Sequence, residues 1–187
     1  MSERWAIIGN GPGGSDFQAG SVPRGATVMA VNTAARRIQQ DLIDYHFIRG
    51  MRADFIIPLP RAKIVTIRAR RCKGYYDQYG IETIDCRRWV IDEDQPDSQV
   101  WCRGSYTPYR DPIGVQAMMY VVNRGAKSIE VWGFEGDFPL APDDEATNYQ
   151  GTMMRKITAG APDVHFTFYG QLAYDLAGPN ITKAGRA

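Results

Sequence analysis

Arg4-Trp5-Ala6-Ile7-Ile8-Gly9-Asn10-Gly11-Pro12-Gly13-Gly14 opens the chain. Its first half is a short apolar run without polar alternation, which reads as a strand buried on both faces. Its second half has glycine at four of six positions, which reads as a sharp turn where the backbone can approach a ligand closely. A buried strand feeding such a turn is how a nucleotide-binding α/β domain often begins. In an open parallel sheet, ligands bind beyond the carboxyl ends of the strands.

Similar apolar runs follow at 27–31, 46–48, 63–67, 83–91, 128–132 and 164–169, each bounded by Gly, Pro, Asn, Asp or charged residues. Helical periodicity covers 33–42 and 112–124; the second segment has Pro112 at its start and Gly125 just past its end. Strands alternating with helices predict an α/β fold, a single Rossmann-like domain over 1–187 whose mainly parallel sheet has about seven strands flanked by helices. Residues 138–150, with two prolines and three consecutive acids, predict a loop that serves as a lid, and 178–187 predict a frayed tail.

The bulk numbers narrow the function classes. With 187 residues, 44% hydrophobic, and 22 basic against 21 acidic side chains, the chain builds a core but carries no global field directed at nucleic acid or a membrane. Cys72, Cys86 and Cys102 are odd in number and widely spaced, which argues against a disulfide framework and a zinc site. The start lacks the features of a signal peptide, and no apolar run approaches the roughly 18 residues of a membrane span, so a cytoplasmic location is expected.

In the first turn, backbone N–H groups of Gly9, Gly11 and Gly13 are expected to meet phosphate oxygens, with the Asn10 amide as a further donor. Gly9, Gly11 and Gly14 fit the letters of G-x-G-x-x-G, but Pro12 removes one amide donor. The second strand ends in Val31-Asn32-Thr33 and offers a neutral amide where a ribose-binding acid would stand, which weakens a dinucleotide reading. His46 and His165 lie inside strand-like runs, and at most one is expected to face a site. Arg61, Lys63, Arg68, Arg70, Arg71 and Lys73, followed by Tyr75, Tyr76 and Tyr79, allow a nucleic-acid contact, although such alternation more commonly solvates an edge strand. Asp143-Asp144-Glu145 supply carboxylates for a general base or for Mg²⁺.

Three segments resemble the bacterial sialyltransferases of glycosyltransferase family 42, with pterin diphosphokinase-like proteins as cousins. Ile7-Ile8-Gly9-Asn10-Gly11-Pro12 looks like the strand and loop that hold the sugar nucleotide, and Val31-Asn32 like the asparagine closing the second strand. Arg110-Asp111-Pro112-Ile113-Gly114-Val115, followed by the helix and by Gly133 with Asp137, is similar to the family's Arg-x-x-Ser-Gly-Val helix and Gly-x-Asp strand end. The resemblance runs from residue 5 to about 172. It implies a CMP-sugar donor, with Asn10 and Asn32 contacting the CMP moiety and no required cofactor or metal. Two positions depart from the pattern: Ile113 replaces a nucleotide-contacting serine, and no histidine stands near Asn148-Tyr149, where the family has its catalytic one.

The first expectation is therefore an inverting, metal-independent nucleotide-sugar transferase acting on a small or compact acceptor. Loop amides, Arg110 and Tyr149 stabilise its leaving phosphate, and Asp143, Asp144 or Glu145 activates the acceptor. The ligand set is Gly9, Asn10, Gly11, Pro12, Gly13, Asn32, Gly114, Gly133 and Asp137. The alternatives are a nucleotide-sequestering protein without catalysis and an ATP-dependent diphosphokinase-like enzyme. The sequence leaves the oligomeric state open, a homo-oligomer included.

Overall fold

The computed structural model describes residues 3–48, 59, 62–66, 82–83, 113–135, 145–172 and 174–185. Among the described residues eight strands form one sheet: β1 (Arg4–Ile8), β2 (Thr27–Val31), β3 (Tyr45–Ile48), β4 (Lys63–Thr66), β5 (Glu82–Thr83), β6 (Ser128–Trp132), β7 (His165–Tyr169) and β8 (Ile181–Ala184). Their spatial order is β5-β4-β3-β2-β1-β6-β7-β8, and every pairing is parallel. The predicted α/β class and parallel sheet are what is observed.

The opening strand is buried on both faces because it lies in the middle of the sheet. Trp5 and Ile7 enter one core with Val115, Met118, Met119 and Ile157, beneath the helices α1 (Ile113–Asn123) and α2 (Glu145–Gly160). Ala6 and Ile8 enter the other core, against Phe17, Ala34, Ala35 and Trp132. Alternate side chains of an extended strand point to opposite faces, so an unbroken apolar run satisfies two cores at once. Helix α1 ends as its sequence indicates, with Gly125 at φ +82° just beyond it.

Four expectations are corrected or fall outside the described residues. Segment 33–42 is not one α-helix but two 3₁₀ turns, Asn32–Arg36 and Gln40–Leu42. Its surroundings hold it from outside: Arg37 donates to the Asn10 carbonyl (2.7 Å), and Asp44, just beyond the segment, accepts the Val28 N–H (2.9 Å), so tertiary contacts outrank local propensity. The lid at 138–150 is not a loop throughout, because α2 begins at Glu145; its Met153, Met154 and Ile157 are buried on the sheet. The tail at 178–187 is not frayed: Ile181–Ala184 pairs with Phe166–Tyr169 as β8. Of the strand expected at 83–91, only Thr83 lies within the described residues, in β5.

No helix among the described residues is long and apolar enough to cross a membrane. Cys72, Cys86 and Cys102, and the basic stretch apart from Lys63, lie outside the described residues.

Candidate functional site

In this strand order the chain winds one way from β1 through β2 to β5, and the other way from β6 to β8. The reversal falls between β1 and β6, and the crevice beyond their carboxyl ends is where such a sheet takes its ligand. Ile8 pairs with Trp132 and Trp132 with Tyr169, so the next residue of each strand stands in one row: Gly9, Gly133 and Gly170.

The row is packed too closely for side chains. Gly133 has φ +74°, and a Cβ there would lie 2.6 Å from the Gly9 carbonyl oxygen. The Phe134 ring lies against Gly9 on one side and Gly114 of α1 on another, so Gly114 serves this packing contact. Phe134 and Glu135 are thereby turned into the crevice floor; both are buried.

Glu135 changes the reading of the glycine loop. Its Oε1 accepts the Gly13 N–H at 2.5 Å. Three further glycine amides of the loop are engaged as well: Gly9 N–H donates to Trp132 O (2.6 Å), Gly11 N–H to Gly133 O (3.0 Å) and Gly14 N–H to Gly11 O (3.0 Å). Pro12 has no N–H to offer. The amides expected at phosphate oxygens are thus taken by the protein itself, and an internal carboxylate fills the concavity they form.

Asn10 faces outward. Its carbonyl accepts from Arg37 and its Oδ1 from Thr33 Oγ1 (3.1 Å), which puts a guanidinium on the rim of the loop. Asn32 closes β2 as expected; it is buried and has the left-handed φ of +49°, an uncommon state for a residue with a side chain. Its carbonyl oxygen lies 2.8 Å from His46 Nε2. A carbonyl only accepts, so His46 carries its proton on Nε2. Burial lowers the His46 pKa, and the Asn32 hydrogen bond only partly opposes this. His46 is therefore the neutral prop of Asn32. His165 stands at the opposite end of the sheet, at the start of β7, and meets Thr182 Oγ1 at 3.1 Å.

Tyr174 completes the crevice. Its hydroxyl donates to Phe134 O (2.8 Å), and its ring packs on Gly151 of α2. Burial pushes its pKa far above the usual phenol range; a hydrogen bond with buried Gln150 opposes this, and the Glu135 charge adds to it. The Tyr174 hydroxyl is therefore a proton-bearing donor.

The structure thus brings together Gly9, Asn10, Gly11, Pro12, Gly13, Asn32 and Gly133. Glu145 and Tyr149 stand in the first two turns of α2, and only their backbone position is described. Arg110, Asp137, Asp143 and Asp144 lie outside the described residues. Sequence reading missed Glu135, Gln150, Gly170 and Tyr174. The legible signal for Glu135 was an acid two residues past the glycine that ends β6, a better match to a Gly-x-acid strand end than Asp137.

Neither a protein-family model nor a curated protein sequence matches the chain. Among solved structures, the chain is similar to the α-2,3-sialyltransferase of Campylobacter jejuni, with TM-score 0.55 and 13% identity, over 88% of this chain and 74% of that one. At that identity the likeness is one of fold, and the chain shares the architecture of that sialyltransferase.

Proposed function

We propose that the chain is a nucleotide-sugar-dependent glycosyltransferase of the sialyltransferase-like, inverting, metal-independent kind. It uses a CMP-sugar type donor and a small or compact acceptor in the cytoplasm. The observation that carries this reading is the convergence of the glycine row, Glu135, Asn32 and Tyr174 at the β1/β6 switch point, in a fold shared with a sialyltransferase. The nucleotide lies in the crevice with its phosphate outward, toward Asn10 and the Arg37 guanidinium. Arg110 and Tyr149 add to the stabilisation of the leaving group.

In the reaction, the acceptor hydroxyl oxygen attacks the anomeric carbon while Asp143, Asp144 or Glu145 takes its proton. The bond from that carbon to the phosphate oxygen breaks, and its electron pair leaves with the nucleoside monophosphate. The test is single-turnover transfer from CMP-sugars with and without EDTA. Transfer that survives EDTA supports the reading; strict Mg²⁺ dependence favours diphosphokinase-like chemistry instead. Asp143→Asn, Asp144→Asn and Glu145→Gln, made singly, identify the base by a fall in turnover of roughly 10²–10⁴-fold with donor affinity kept.

A specific observation favours a second reading, nucleotide binding without catalysis. The chain has two histidines; one props Asn32 and the other stands at the far end of the sheet, so neither serves as a base in the crevice. Tight nucleotide binding with no product from any donor and acceptor pair would establish sequestration.

A further inference from the structure

We propose that Glu135 is a ligand-recognition residue whose free carboxylate oxygen accepts hydrogen bonds from the ribose hydroxyls of a bound nucleotide. The inference rests on the nucleotide reading above and names what the floor of that site recognises.

One oxygen of Glu135 is anchored on the Gly13 N–H at 2.5 Å. The other, Oε2, is buried and has no hydrogen-bond partner among the described residues. The residue as a whole is 9% exposed. A buried acceptor left unpaired is costly, the more so when it is charged, and buried polar groups in native proteins find partners. A ligand donor would supply the partner that the described residues do not provide.

The surroundings are built for this carboxylate. A Cβ at Gly11 would collide with Oε2, and a Cβ at Gly13 or Gly170 with Oε1. Three glycines from two strand ends thus make room for one side chain, while the N–H groups of Gly9, Gly11, Gly13 and Gly14 already donate within the protein. A phosphate at this position would meet a like charge at short range in a partly desolvated crevice, where repulsion is strong. A neutral hydroxyl donor meets no such barrier. Among the parts of a nucleotide, the ribose diol offers neutral donors in a pair, and a carboxylate beyond a strand end binds it in other α/β sheets. Here the acid stands after β6, and β2 ends in the neutral Asn32.

The experiment compares dissociation constants of CMP, UMP, AMP and GMP with those of their 2′-deoxy and 3′-deoxy counterparts, for the wild type and Glu135→Gln. The expected result is a preference of the wild type for at least one ribonucleotide over a deoxy counterpart by about 10- to 100-fold, the range of one hydrogen bond to a charged group. In Glu135→Gln the preference should fall to about threefold or less, with the ribonucleotide weakened more than the deoxynucleotide. Equal binding of ribo and deoxy forms by the wild type overturns the inference while leaving nucleotide binding intact, as does a preference that persists in folded Glu135→Gln. Failure of every nucleotide to bind the wild type overturns both readings. Should Glu135→Gln not fold, the wild-type ratios alone decide.

Discussion

At Gly13, exchanging one hydrogen for a methyl group tests the central contact of the site. Its backbone lies outside the left-handed region, so alanine is sterically allowed there by conformation. Its nearest obstacle is the Glu135 carboxylate; the Tyr169 carbonyl lies at an ordinary 3.4 Å from the added Cβ. Gly13→Ala should therefore cost about 1–3 kcal/mol in the wild type and much less in a Glu135→Ala background. Urea unfolding of the four proteins of this cycle measures the difference; strict additivity would mean that the two groups do not compete for space. His46 gives a second residue-scale prediction. Its pKa in the folded protein lies below the ordinary 6.5, so on acidification the unfolded chain binds the proton first. The stability linked to His46 is complete above about pH 6.5 and is lost as pH falls from there through the folded-state pKa. Glutamine can still donate to the Asn32 carbonyl but does not titrate. A plot of Tm against pH should thus be flatter on its acid side for His46→Gln than for the wild type, and parallel curves would refute the assignment.

Helix α2 and strand β8 are coupled by one side chain. Asn180 Nδ2 lies 2.9 Å from Thr158 O, 3.1 Å from Ala161 O and 3.0 Å from Val164 O, and so ties the last turn of α2 to the turn that follows it. The Asn180 carbonyl accepts the Phe166 N–H at 2.8 Å, which starts the β7–β8 ladder. A segment with tail-like composition is thereby tied down at the point where it enters the sheet. Asn180→Ala should destabilise the protein by about 1–3 kcal/mol, because it removes the side-chain donor from part-buried carbonyls, of which Ala161 O retains the Val164 N–H. Hydrogen exchange should show β8 and the last turn of α2 opening together; opening of β8 alone would show that the cap does not couple them.

Across the whole molecule, the two edges of the sheet have different work. The amino edge is closed by hydrogen bonds of Lys127 and Ser128 N–H to Glu3 O and of His165 N–H to Lys127 O. The carboxyl edge carries the glycine row, Glu135 and Tyr174 around the switch point. Nucleotide binding should therefore protect residues 9–14, 133–135 and 170–174 from hydrogen exchange and leave 127–128 and 165 almost unchanged. A nucleotide at 100 times its dissociation constant adds about 2.7 kcal/mol of stability, or a rise in Tm of roughly 5–10 °C for a chain of this size. Protection centred on the amino edge would move the site away from β1 and β6.

The sequence determined the parallel α/β class, the opening strand and the glycine turn. Two-sided burial of a strand requires a continuous apolar run, and a sharp turn at close quarters requires glycine, so both leave local marks. The carboxyl end of α1 was legible for the same reason, through Gly125. The occupant of the glycine turn was decided only by the tertiary structure: Glu135 lies 122 residues from Gly13 in the chain, and it reaches the loop because β1 and β6 are neighbours with Ile8 opposite Trp132. Tyr174 and Asn180 escaped notice likewise, since each acts on a partner from another element. Residues 33–42 carry helical periodicity yet fold as two short turns, because the bond of Arg37 to Asn10 and the bond of Asp44, just beyond the segment, to Val28 fix the path from outside. Local pattern records what a residue needs from its own neighbours along the chain; contacts between strand ends arise only once the sheet has set its order.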